Sequence, residues 1–97
     1  MNPIAQLNKA FDHRIRLGIM SLLLVHHEMN FNDLKETLEL TDGNLATHLK
    51  TLEEYEYIIV RKGFIGKKTN TTYLVTKLGK DAFKTHLDNL EKMMKGL

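Results

Sequence analysis

The sequence predicts a mainly α-helical domain with a small β-hairpin, an α+β fold. Apolar residues recur at helical spacing through most of residues 2–55 and again from residue 77 onward. Residues 57–75 instead show a period of two and are rich in β-branched and aromatic side chains. A chain of 97 residues, 42% hydrophobic and 27% charged, fits one small globular domain over residues 1–97.

The first quarter of the chain predicts two helical segments. Asn2 and Pro3 are typical of a helix cap and a first helical position. Three apolar residues then share one side of the first segment: Ile4, Leu7 and Phe11. Asp12 is predicted to cap a second segment, which runs to about Val25 and is apolar nearly all round. Burial on several sides is expected, with a second subunit covering part of this segment.

A pair of helices is predicted next. Residues 29–31 have strand character, and Asn32 is predicted to cap a brief helix over residues 33–39. Thr41 is predicted to cap a longer helix, about residues 42–54, because its hydroxyl can accept an orphan backbone N–H. The apolar stripe of this helix is narrow: Leu45, Leu49 and Leu52. Two short helices joined by about four residues form the helix-turn-helix pattern.

The outer face of the 42–54 helix has small and hydrogen-bonding side chains. Its candidate DNA-contacting residues are Gly43, Asn44, Thr47, His48, Lys50 and Thr51. Amide, hydroxyl and imidazole groups can contact base edges when a helix lies in a major groove. We expect Lys50 at a phosphate, and Gly43 lets the helix N-terminus approach another. Taken alone, the segment is more typical of an ordinary surface helix. The flanking chain, however, favours a helix that contacts DNA.

A basic hairpin is predicted over residues 57–75, with strands at 57–64 and 71–75 around a turn-rich loop at 66–70. Residues 57–80 contain six basic residues and no acidic one, whereas residues 28–56 contain eight acidic residues and two lysines. Such a run is a candidate polyanion footprint, although composition alone fits a solvated hairpin equally well. The candidate DNA contacts here are Arg61, Lys62, Lys67, Lys68, Thr69 and Asn70.

A long final helix is predicted from residue 77 to about residue 96, capped by Thr76. Its apolar residues follow heptad spacing: Phe83, Leu87, Leu90, Met94 and Leu97. Two heptads are short for a free-standing coiled coil, and the seam extends beyond the hairpin. We therefore expect a dimer interface between this seam and Ile4, Leu7 and Phe11. The alternative is a helix that packs only on its own domain.

Three stretches in order, residues 14–23, 31–53 and 71–80, resemble the winged helix-turn-helix transcriptional regulators of the small MarR and ArsR types. The likeness spans nearly the whole chain. It implies a homodimer that binds a palindromic operator in double-stranded DNA and regulates transcription. It places the 42–54 helix in the major groove as the recognition helix and makes the hairpin the wing, on the backbone and minor groove. We predict no cofactor, and no small-molecule effector can be read from the chain.

One position departs from the family pattern. The family usually has glycine where the recognition helix ends, and this chain has Glu56. Glycine suits that place because a left-handed backbone costs it nothing. We therefore predict a positive φ at Glu56.

Other functions find little support in the sequence. The chain has no cysteine, and its five histidines lack ligand spacing, so we predict no metal site and expect solvent-facing or capping histidines. No phosphate-binding loop or nucleophile motif is present, which argues against an enzyme. We expect no signal peptide, because the N-terminus lacks a basic stretch followed by an apolar run and a cleavage site. The longest apolar run near the N-terminus, residues 22–25, is too short to cross a membrane, and the absence of cysteine fits the expected cytoplasmic location. The main alternative is a protein–protein scaffold of the same fold that binds no nucleic acid, and RNA binding ranks third.

Overall fold

The computed structural model describes residues 2–96, in which helices surround a small antiparallel sheet. Its elements, in chain order, are α1 (Arg14–His26), β1 (Glu28–Asn30), α2 (Phe31–Leu38), α3 (Asp42–Glu54), β2 (Ile58–Ile65), β3 (Lys68–Val75) and α4 (Lys77–Met94). Two short 3₁₀ helices, Pro3–Gln6 and Lys9–Phe11, precede α1. This is the α+β fold that the sequence predicts. In the described part of the chain, no helix is both long enough and apolar enough to span a bilayer.

The N-terminal segment is more broken than its apolar spacing indicates. The Asn2 side chain caps the first 3₁₀ helix, as predicted, by accepting the N–H of Ile4 at 3.0 Å. The prediction that Asp12 caps α1 is wrong, because the backbone N–H of Asp12 closes the preceding 3₁₀ helix on Lys9. His13 caps α1 instead, and its Nδ1 accepts the N–H of Ile15 at 3.1 Å.

The helix-turn-helix begins two residues earlier than predicted. Asn30, and not Asn32, caps α2, since its side-chain oxygen accepts the N–H of Asp33 at 2.8 Å. The strand predicted at residues 29–31 is shifted accordingly to Glu28–Asn30. Thr41 caps α3 as predicted, with its hydroxyl oxygen 3.2 Å from the backbone nitrogen of Asn44.

The core lies between α1, α3 and the sheet. The predicted stripe of α3 is confirmed, since Leu45, Leu49 and Leu52 are fully buried. Burial of side chains of this size is the main source of folding free energy. The other buried apolar residues are Ala10, Phe11, Ile19, Met20, Leu23, Leu34, Ile58, Tyr73 and Phe83. Helix α1 is less enclosed than predicted, because Val25 near its end is 72% exposed.

The hairpin joins a three-stranded sheet with the order β1-β3-β2. β1 pairs antiparallel with the central strand, Met29 opposite Tyr73. The predicted five-residue loop is wrong, because β2 and β3 continue until Ile65 faces Lys68. Only Gly66 and Lys67 form the turn, and Gly66 has a φ of 64°. Glycine at the first position of a two-residue turn is typical of type II′ hairpins, whose twist matches that of the strands.

Two aromatic residues assigned to the dimer interface belong to the core instead. Phe11 and Phe83 are 2% and 4% exposed, with ring centroids 5.1 Å apart. His86 is buried beside them, and its Nδ1 accepts the N–H of Asn8 at 3.1 Å. The expectation of a solvent-facing or capping histidine is therefore wrong at His86. Burial lowers the pKa of His86, against the opposing effect of the Asp12 carboxylate.

The end of α3 confirms the prediction for Glu56, whose φ is 64°. The N–H of Glu56 donates to Glu53, and the N–H of Tyr57 donates to Leu52 at 3.1 Å. These two bonds form a Schellman motif, in which the left-handed position is ordinarily glycine. An L-residue pays a conformational cost there.

Glu56→Gly is therefore expected to raise the free energy of unfolding by about 0.5–1 kcal/mol. Ala46→Gly is the matched control, because Ala46 is exposed within α3 and glycine costs about 1 kcal/mol more than alanine in a helix interior. Urea denaturation followed by circular dichroism measures both. Destabilisation by both variants would contradict the strain assigned to Glu56.

Candidate nucleic-acid interface

The outer face of α3 is open and polar. Thr47 and Lys50 are exposed, and Thr51 is half-buried. The Thr47 hydroxyl donates to the carbonyl oxygen of Gly43 at 2.8 Å, and the Thr51 hydroxyl donates to that of Thr47 at 3.2 Å. Because both hydroxyl hydrogens are used within the helix, each threonine presents an acceptor oxygen and a methyl group. These groups match the amino groups of adenine and cytosine and the methyl group of thymine in a major groove.

The N-terminus of α3 is accessible. Gly43 and Asn44 are exposed, and no heavy atom lies within 4 Å of the position that a Cβ on Gly43 would occupy. The acidic Asp42 beside them pairs with Lys35 of α2, Nζ to Oδ1 at 2.8 Å. This partner offsets a negative charge that would otherwise oppose an approaching phosphate.

Two arginines of α1 belong to this surface, and the sequence analysis missed both as candidates. Arg14 is exposed and shares a surface depression with Thr41 and Asn44, at the start of α3. Arg16 reaches α3 directly through His48. Two arginines at the start of a helix can be recognised in the sequence as a candidate anion-binding pair. Only the packing of α1 on α3 shows that they lie beside the start and outer face of α3.

Two side chains at the start of α1, those of Arg16 and His13, contact the His48 ring. The Nη1 of Arg16 lies 3.0 Å from the Nδ1 of His48, and the Nε of Arg16 donates to the carbonyl oxygen of Ala10 at 2.6 Å. The ring of His13 lies against the His48 ring, with centroids 4.1 Å apart. Desolvation lowers the pKa of His48, and the electrostatic effects of His13 and Arg16 lower it further. All three effects favour the neutral imidazole.

The hairpin presents its basic side chains to solvent: Arg61, Lys62, Lys67 and Lys68 are all exposed. Arg61 also approaches Glu28 of β1, Nη1 to Oε2 at 3.8 Å, a pair too exposed to contribute much stability. Lys67 lies at the turn, and Lys68 begins β3.

The prediction that Thr69 and Asn70 lie in the hairpin loop is wrong, because both residues lie on β3. Thr69 is exposed. Asn70 is half-buried, and its Nδ2 donates to the Thr72 hydroxyl at 3.0 Å. The structure thus brings Thr69 to the hairpin surface and ties Asn70 to the sheet.

Comparison with known proteins agrees with this architecture. Residues 15–94 match a family model described as "Winged helix DNA-binding domain". The chain is 37% identical over 89 residues to an uncharacterized protein of Methanocaldococcus jannaschii. The match covers 92% of this chain and 97% of that protein. The structure is similar to that of a transcriptional regulator homologue from Pyrococcus horikoshii OT3, with a TM-score of 0.89 and 28% identity over 99% of this chain and 97% of the other.

A MarR-like transcriptional regulator from Thermotoga maritima shares the fold, with a TM-score of 0.66 and 18% identity over 97% of this chain and 69% of the other. These matches confirm the resemblance inferred from the order of the elements.

Proposed function

Because the chain belongs to the winged helix DNA-binding domain family, we propose that it is a sequence-specific transcriptional regulator that binds a palindromic operator as a homodimer. In this proposal α3 lies in the major groove, and the β2–β3 hairpin is the wing on the backbone and minor groove. The observation that supports it most is the division of α3. Its apolar stripe is wholly buried, while the residues predicted to contact DNA line the rest of the helix.

Each part of the surface has a distinct role in the proposal. Asn44, Thr47 and Thr51 contact base edges and determine sequence preference. Gly43 and Lys50 contact the sugar–phosphate backbone, which fixes register and carries no direct sequence information. The four basic residues of the wing supply most of the electrostatic affinity, and Thr69 approaches the minor groove. Arg14 joins this set as a phosphate contact beside the start of α3.

The homodimer rests on apolar side chains that the domain leaves uncovered. Ile4 and Met94 are 66% and 88% exposed, and Leu87 is 46% exposed. Leu7 and Leu90 are half-buried and complete the available set. Leu97, also predicted for this interface, lies outside the described residues. Exposed apolar groups of this kind are typical of a surface that a partner covers.

Replacing Lys67 and Lys68 with alanine is expected to weaken binding to all duplexes alike. Each lost phosphate contact lowers the slope of log affinity against log salt by about 0.9, so the double variant should lose about two units of slope. Asn44→Ala should instead relax sequence preference by about 1–3 kcal/mol at an unchanged slope, if the amide contacts adenine through two hydrogen bonds. Gel-shift titrations over a salt series, with a site selected from random duplexes, measure both effects.

The double variant Lys9→Ala/Lys92→Ala is the control, because it removes the same charge from exposed positions outside α3 and the wing. Equal slopes for the two lysine variants would count against the wing as a DNA contact. A purified chain that ignores duplexes even in dilute buffer would favour the protein–protein scaffold.

A further inference from the structure

The contacts of His48 determine which of its ring nitrogens carries the proton. A guanidinium group has only N–H donors, so the His48 Nδ1 that faces Arg16 at 3.0 Å must act as an acceptor. In a neutral imidazole the proton then resides on Nε2, which becomes a hydrogen-bond donor with no acceptor function.

The surroundings hold the ring in this state. Arg16 is itself anchored, because its Nε donates to the Ala10 carbonyl oxygen. The His13 ring packs against the His48 ring at an angle of 34°, and the cap that it forms on α1 fixes its own position. A ring bonded at one nitrogen and packed against a fixed neighbour cannot turn to exchange its nitrogens without disturbing both contacts.

His48 also lies on the surface assigned to DNA. It follows Asn44 by four residues, so the two side chains share one side of α3, one turn apart. His48 is half-buried beside exposed Asn44 and Thr47. A single donor in this place excludes cytosine, which presents only a donor in the major groove. It favours guanine, which presents two acceptors and no donor, over adenine and thymine, which present one acceptor each.

Resting on the proposed function, we infer that Arg16 holds His48 as a single tautomer whose Nε2–H donates to the N7 of a guanine in each half-site. His48 is then a specificity-determining residue and Arg16 a positioning residue. Their neighbours Asn44 and Thr47 contact the bases on either side.

The test uses the full chain and the duplex that it selects from a random pool. Each guanine is replaced in turn by 7-deazaguanine, which lacks the N7 acceptor, and by inosine, which retains N7 and O6. We expect one guanine per half-site at which 7-deazaguanine lowers affinity about fivefold, as for one neutral hydrogen bond, while inosine does not. His48→Ala and Arg16→Met should lose this sensitivity. Lys84→Met, a control that removes one exposed positive charge from α4 outside the proposed DNA surface, should keep it.

Imidazole nitrogen shifts of the wild-type protein test the positioning independently of any variant that fails to fold. The Nε2–H form is expected for His48, and an Nδ1–H form overturns the inference. If His48→Ala remains sensitive to 7-deazaguanine, the guanine contact is overturned and the proposed function is not. The same holds if the affinity that depends on His48 is lost on replacing a phosphate with methylphosphonate and not on replacing the guanine. A chain that binds no duplex overturns the proposed function, and the inference with it.

Discussion

Gly79→Ala is expected to destabilise the domain by about 3 kcal/mol or more, because the site has no space for a methyl group. A Cβ at Gly79 would collide with the carbonyl oxygen of Tyr57 and would lie 3.0 Å from the Cα of that residue. The obstacle is backbone and cannot rotate away. Urea unfolding followed by circular dichroism at several temperatures measures the loss.

Helix α4 cannot relieve this collision by moving away. Thr76, its cap, accepts the N–H of Gly79 at 2.9 Å and donates its hydroxyl to the Glu56 carbonyl oxygen at 2.8 Å. The Thr76 N–H donates to the Tyr57 carbonyl oxygen at 3.0 Å. Displacing α4 would therefore break the bonds that join its start to the end of α3.

Gly63→Ala provides the control, since no heavy atom lies within 4 Å of a Cβ at Gly63. Alanine there should change the free energy of unfolding by no more than about 0.5 kcal/mol, as is usual for exposed positions. Similar losses for the two variants would mean that the collision at Gly79 is relieved elsewhere, and the tight packing of α4 on Tyr57 would be refuted.

The sequence predicted those features that depend on neighbouring residues. The α3 stripe, the Thr41 and Thr76 caps and the positive φ of Glu56 each follow from a local pattern and a local donor or acceptor. Where two nearby asparagines can both cap, local pattern does not decide between them. The structure uses Asn30 where Asn32 was predicted, and Asn30 is also the last residue of β1, paired with Thr72 of the sheet.

Features that depend on tertiary packing were not predictable in this way. A heptad seam has the same spacing whether it packs within one chain or between two, so Phe83 was assigned to a partner although it contacts Phe11 in the same core. The contact between Arg16 and His48 joins residues 32 positions apart, and it exists only because α1 crosses α3. The exposed residues of α3 could therefore be identified from the sequence, whereas the α1 residues that contact them could not.

Leu87→Glu combined with Met94→Glu is expected to separate the proposed dimer and to lower affinity for a two-half-site operator by about 100-fold or more. Both side chains are substantially exposed, so charging them leaves the core intact while placing carboxylates in the proposed interface. Linking two binding units raises apparent affinity by about 10²–10⁴ without any new contact to DNA, and a monomer forfeits that gain. Sedimentation velocity at micromolar concentration and gel shifts on paired and single half-sites measure the two effects.

Lys92→Glu separates the seam from the helix as a whole, because it changes the net charge by the same two units. Lys92 is exposed and lies about 140° around α4 from Leu87 and about 200° from Met94, so a carboxylate there should leave both assembly and binding unchanged. Binding to a single half-site should also be unaffected by the double variant, because the added charges act on assembly and not on DNA. A double variant that remains dimeric, or a wild-type chain that sediments as a monomer, would place the uncovered side chains outside any interface between copies. The operator would then have to be bound one half-site at a time, through α3 and the wing alone.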